Sequence, residues 1–211
     1  MGAVLVHAAA SQARGLADAG TTVHPAPERN DPQQLLSAAR VLVPLVIALR
    51  DEANHKAYVH PELIAVIKAA GLLRAFQPKR WGGHELGPRH VFDVQNVFAE
   101  HCLSTAWVFC VLCVQSFILG RMDAQAQSDV WSDDCGALIS SSFEPVGRVV
   151  PVDGGYATGG RFSFSSGSSH AISTIVGEWF RPTMRAPRHR CASSWSRTAI
   201  TGSIGCGTHS G

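Results

Sequence analysis

The chain has 211 residues, 45% hydrophobic and 16% charged, with a formal net charge of +2. That length allows one large domain or two small ones, and that composition allows a buried core. So small a charge does not by itself argue for nucleic acid as a partner, and the absence of an apolar run of about 18 residues argues against a membrane-spanning helix.

Residues 1–30 are rich in Ala, Gly and Pro without sustained periodicity and are expected to form a mobile leader. No basic segment precedes the apolar Met1–Ala10, so a secretory signal is not expected. Asp31 is a good N-cap and Pro32 suits a first helical position. Leu35, Ala38, Ala39, Leu42, Leu45, Val46 and Leu49 then recur at helical spacing, and Arg50, Asp51 and Glu52 close that helix. Pro61 opens a second helix that Gly71 can cap. The break Pro78-Lys79-Arg80-Trp81-Gly82-Gly83 follows, and Pro88 restarts a helix with Val91, Phe92, Val94, Val97 and Phe98 inward.

From Ser104, a plausible cap, to Leu119 the sequence is apolar on nearly every face, which predicts a helix buried on all sides. Six cysteines occur, and Cys110 and Cys113 on this helix have the spacing of a redox or metal pair. No second pair completes a tetrahedral site, so packed, reduced thiols and a cytoplasmic setting are the reading. Asp123 starts a further amphipathic helix ending at Val130-Trp131.

Strand signals take over at Cys135 and continue to about Gly177. Ala137-Leu138-Ile139, Val149-Val150, Tyr156 and Phe162 to Phe164 are punctuated by Pro145-Val146-Gly147, Asp153-Gly154-Gly155 and Gly159-Gly160. Short strands and turns fit this better than helix. The strand ending at Phe164 opens into Ser165-Ser166-Gly167-Ser168, a row of hydroxyls and backbone N–H groups suited to an anionic or heteroaromatic ligand. The fold class is therefore α+β: a helical domain over 31–133 and a β domain over 134–177.

After Glu178 the composition changes. Residues 178–211 scatter Arg181, Arg185, Arg188, Arg190 and Arg197 among Ser, Pro, Gly and Cys, with no periodicity. A basic arm is one reading of this irregular tail. Out-of-frame translation of GC-rich DNA is the other, favoured because Arg without Lys, unclustered, is a poor design for an arm.

Four segments in order carry a resemblance: HPELIAVIKAAGLLRAFQPKRWGG, CLSTAWVF, SSSFEPVGRVVPVDGGY and GRFSFSSGSSHA. From about Asp31 to Gly177 the chain resembles the reduced-flavin-dependent aromatic monooxygenases of the acyl-CoA dehydrogenase-like superfamily. The resemblance implies a helical domain, a middle β-barrel, here partial, and a C-terminal four-helix bundle that is missing from this sequence. A chain without that bundle is expected to be impaired or inactive. The implied function is the oxygenase component of a two-component system, hydroxylating a small aromatic (phenolic) substrate with O2 through a C4a-hydroperoxyflavin. Reduced FMN or FAD would come from a partner flavin reductase, and the family's assembly is a homotetramer. An acyl-CoA dehydrogenase-type FAD oxidoreductase and a non-catalytic remnant or interaction module are the alternatives.

The resemblance also assigns residues. Trp107 would lie beside the flavin or substrate ring, a role compatible with core packing. Gln115 falls about 80° further round the helix, where hydroxylases of this group often carry a His that helps bind phenolate. Gln can hydrogen-bond a phenol oxygen but carries no proton or charge. Ser141, with its neighbours Ser140 and Ser142, would contact flavin or substrate, or serve a turn. Ser165, Ser166 and Gly167 are the strongest candidates, with the hydroxyl of Ser166 at flavin N5 and Gly167 allowing close backbone approach. His170 is read as a turn residue rather than a base, and Arg80 and Arg148 as surface charge rather than phosphate ligands.

Overall fold

The structure, a computed structural model, describes residues 4–7, 31–56, 58–144, 148–152, 155–159, 162–179 and 197–203. Much of 1–30 and of the tail, and the turn sequences Pro145-Val146-Gly147 and Asp153-Gly154, lie outside these residues. Five α-helices and six strands are present among them: β1 (Val4–His7), α1 (Pro32–Lys56), α2 (Pro61–Ala69), α3 (Pro88–Ala99), α4 (Leu103–Leu119), α5 (Ala124–Trp131), β2 (Ile139–Ser142), β3 (Arg148–Val152), β4 (Gly155–Gly159), β5 (Ser173–Trp179) and β6 (Arg197–Ser203).

The helices start where local chemistry starts them. Asp31 Oδ1 accepts from Gln33 N at 2.9 Å, and Asp123 Oδ1 accepts from Ala126 N at 2.8 Å. Proline occupies the first position of α1, α2 and α3. α1 runs past Glu52 to Lys56, where Lys56 pairs with Glu52 one turn back and sits at the negative end of the helix dipole. The N-cap of α4 is Cys102, which offers no side-chain cap bond, rather than Ser104.

Contrary to the sequence expectation of no such segment, α1 is by length and composition alone long and apolar enough to cross a membrane. Its Leu35, Ala39 and Val46 belong to the main core, together with Leu63, Ile67, Leu72, Phe98, Phe109 and Leu112. A smaller second cluster joins Leu119, Val130 and Trp131 to Ile139 and Ile175. This second cluster fixes the strands against α4 and α5.

The strands form two three-stranded sheets. One has the order β1-β4-β3, antiparallel throughout. The other has the order β2-β5-β6, with β2 parallel to β5 and β6 antiparallel to β5. Three findings depart from the sequence expectation. Val4–His7, within the expected leader, is a strand on β4. Arg197–Ser203, within the expected irregular tail, pairs along β5, which itself extends to Trp179. Phe162 to Phe164 is not strand; Phe164 adopts a positive φ of 56° and is 91% exposed.

Candidate functional site

α4 and the serine-rich segment after Phe164 form the site together. β2 holds that segment at both ends. Ser142 Oγ donates to the Ser163 carbonyl at 2.7 Å, and Ile172 N donates to the Leu138 carbonyl at 3.0 Å. Between these ties the chain makes a compact turn, with Ser168 N bonded to Ser165 O and His170 N to Gly167 O. Its entry is strained: a bulky residue at positive φ, here Phe164, stands where L-residues rarely do.

The turn docks on α4 through two contacts. Trp107 Nε1 donates to Ser166 Oγ at 3.1 Å. Gly167, at φ 80°, lies so near the helix that a Cβ would fall 2.9 Å from Leu112 Cδ2. Gly167→Ala therefore combines a left-handed alanine with a clash. It is expected to cost about 1–2 kcal/mol and to lower the urea midpoint.

Trp107, Ser165, Ser166 and Gly167 line one cavity of about 720 Å³ between α4, the end of α1 and the serine turn. The Ser165 hydroxyl is buried and has no protein partner. Trp107 is 58% exposed, and Leu103 one turn earlier is 75% exposed, so α4 is not buried on all sides. The expectation took uniform apolarity for uniform burial; the inner face, through Ala106, Phe109 and Cys113, carries the packing. Cys113 is fully enclosed and its Sγ approaches the Leu72 carbonyl at 3.7 Å, while burial pushes both the Cys110 and Cys113 thiols up.

Two other sequence candidates stand apart. Ser141 is buried and shares the face of β2 with Ile139, toward the helices, but it is not among the residues lining this cavity. Ser140 and Ser142, on the opposite face, spend their hydroxyls on Thr174 Oγ1 and the Ser163 carbonyl. Gln115 is 3% exposed, its Oε1 has no partner, and it too is absent from the lining.

Sequence reasoning did not select Asn54 and Tyr58, and weighed His170 as a turn residue; all three line the cavity. Nothing in the local sequence marks Asn54 or Tyr58, because the end of α1 meets the serine turn only in three dimensions. His170 is half-buried, and burial lowers its pKa against the raising effect of the Val59 backbone. His84, deeper in the helical layer, has neither ring nitrogen hydrogen-bonded, and burial followed by the Arg74 charge lowers its pKa.

Both histidines therefore prefer to be neutral when folded, and the unfolded chain takes up protons first as pH falls through about 6.5. Stability from these two groups is expected to be constant above about pH 7.5 and to decline as the pH falls from 7 to 5, measured as the urea midpoint. His84→Asn should flatten the decline.

The chain is similar over much of its length to known proteins. The chain is 33% identical over 150 residues to the oxygenase subunit HsaA of a flavin-dependent monooxygenase from Mycobacterium tuberculosis, covering 71% of this chain and 38% of that protein. It is 35% identical over 143 residues to the oxygenase component of p-hydroxyphenylacetate 3-hydroxylase from Acinetobacter baumannii, covering 68% and 34% respectively. The crystal structure of HsaA from M. tuberculosis superposes with a TM-score of 0.68 at 34% identity, over 71% of this chain and 41% of that one.

The matched segment belongs to the oxygenase subunits of flavin-dependent monooxygenases.

This membership places the helices and serine-rich strands in the acyl-CoA dehydrogenase-like fold. XiaF from Streptomyces, solved with FADH2 and glycerol, shares the fold with a TM-score of 0.67 at 22% identity. No family model matches the chain. The chain spans roughly two fifths or less of the length of the monooxygenase subunits it matches.

Proposed function

We propose that the cavity between α4 and the serine turn receives the ring system of a reduced flavin. On this reading the chain is the flavin-facing portion of the oxygenase component of a two-component aromatic hydroxylase. The observation that carries it is the Trp107–Ser166 hydrogen bond on the wall of a cavity of about 720 Å³. That volume suits a tricyclic ring. The residues fit such a group. An exposed indole offers an aromatic face, the orphaned Ser165 hydroxyl offers a hydrogen bond, and Gly167 brings backbone close where a side chain would intrude. The HsaA relatives are named as flavin-dependent, and XiaF was solved with FADH2.

Bound reduced flavin, FMN or FAD delivered by a separate reductase, supplies the activation of O2 and the oxygen atom for an electron-rich ring. This chain's residues do the rest. Ser165 and Ser166 hold the polar edge of the cofactor, Trp107 covers a ring face, and Val59, Leu103 and Val108 make part of the cavity wall apolar. Ser141 and Gln115 lie outside this lining and are assigned no contact with the ring; the Gln115 amide could hydrogen-bond a phenol oxygen without carrying its proton. The substrate is a small phenol, the two sheets are part of a middle β-barrel, and a C-terminal bundle and tetrameric assembly complete the working enzyme.

The test is titration of the purified chain with FMN and FAD, oxidised and dithionite-reduced, followed by flavin fluorescence and absorbance. Saturable binding that Ser166→Ala weakens supports the reading. A folded chain that leaves every flavin spectrum unchanged overturns it.

A further inference from the structure

We infer that Trp107 is a positioning residue whose indole N–H aims the Ser166 hydroxyl proton into the cavity. The inference rests on the flavin reading and adds to it a role that acts through Ser166 rather than through the tryptophan ring.

Hydrogen-bond bookkeeping leads to it. An indole nitrogen only donates, and a serine hydroxyl gives one proton and accepts two. In the 3.1 Å contact, Ser166 Oγ is therefore the acceptor. One of its lone pairs is committed to α4. Its proton and second lone pair remain, and among the described residues Ser166 donates to no side chain or carbonyl. The turn around it is held by its own backbone bonds, by β2 and by the Gly167–Leu112 approach. The Ser166 backbone is thus set, and what is left free is rotation of its hydroxyl. The Trp107 bond fixes the position of Oγ and takes one of its lone-pair directions, so the proton and the second lone pair share the two directions that remain. A serine χ1 otherwise has three staggered wells to choose from.

The neighbouring Ser165 also lines the cavity, and its hydroxyl is buried without a protein partner. The aimed proton of Ser166 selects an acceptor atom there. On an oxidised isoalloxazine the edge nitrogen N5 is such an acceptor; in the reduced ring the same nitrogen carries a hydrogen and meets the remaining lone pair instead. Loss of the indole N–H should weaken both states, and the oxidised state more.

The experiment is a double-mutant cycle with Trp107→Phe, which keeps an aromatic face but no donor, and Ser166→Ala. Oxidised flavin affinity is expected to fall about three- to tenfold in each single variant. The double variant should bind no worse than Ser166→Ala by more than a factor of two. A Trp107→Phe variant that binds like the parent, or effects that multiply, overturns the positioning role. A second measurement needs no flavin: the Trp107 indole N–H resonance in 15N-labelled protein should shift upfield and exchange faster in Ser166→Ala. An unmoved resonance refutes the bond itself, whatever flavin does. If the resonance moves but the parent chain binds no flavin, the flavin reading has failed, and the positioning role fails with it.

Discussion

Trp131→Ala is expected to destabilise the chain by about 3–5 kcal/mol, the usual cost of deleting a buried aromatic side chain. Trp131 is fully buried at the centre of the second cluster, against Leu119, Val130, Ile139 and Ile175. Its indole N–H donates to the Ala137 carbonyl at 3.4 Å, and its ring meets Trp81 at 6.1 Å between centroids. Truncation leaves a void that neighbours on strands and helices cannot close together, and strands the Ala137 carbonyl. The consequence reaches the site, because β2 holds both ends of the serine turn. Urea unfolding followed by circular dichroism should show the loss, and flavin titration should weaken in parallel. Trp131→Phe, which keeps most of the volume, should cost about 1–2 kcal/mol. An alanine variant with an unchanged midpoint would show that the second cluster does not hold the layers together.

Gly83→Ala is expected to cost about 3 kcal/mol, from overpacking and from hydrogen bonds it displaces. A Cβ at position 83 would overlap the carbonyl of Gln77, which is backbone and cannot swing aside. Gln77 also joins the layers. Its carbonyl accepts from Glu85 N at 3.0 Å, and its Nε2 donates to the carbonyls of Trp81 and Cys135 at 3.2 and 2.7 Å. Moving Gln77 loosens the step from the helices into the strand region. Gly87→Ala is the control, since a Cβ there meets nothing within 4 Å, and should change the midpoint by less than about 0.5 kcal/mol. Equal effects at the two positions would refute the packing argument.

Much of this could be read along the chain. The caps at Asp31 and Asp123, the prolines at three helix starts, the apolar period of α1 and the run of Gly and Ser after Cys135 are local features. They fix torsions and periods within a few residues, so the sequence by itself determined where helices give way to strands and that Ser165-Ser166-Gly167 makes an unobstructed turn. The resemblance also singled out Trp107 and that turn, each as a residue expected to lie near the flavin.

Which faces are covered was a different matter. α4 is apolar all round, yet Leu103 and Trp107 are exposed and Phe109 and Cys113 are not. Three consecutive serines divide between two faces of β2, so Ser140 and Ser142 bond structurally while Ser141 turns to the helices. Gln115 lies inside the helical layer and outside the lining that contains Trp107, while Asn54 near the end of α1 and Tyr58 just beyond it enter that lining. Pairing of β1 with β4 and of β6 with β5 joins segments far apart in the chain. Only the tertiary structure decided these points: burial and pairing depend on which distant element arrives against a face, and a residue's neighbours in sequence carry no information about that arrival.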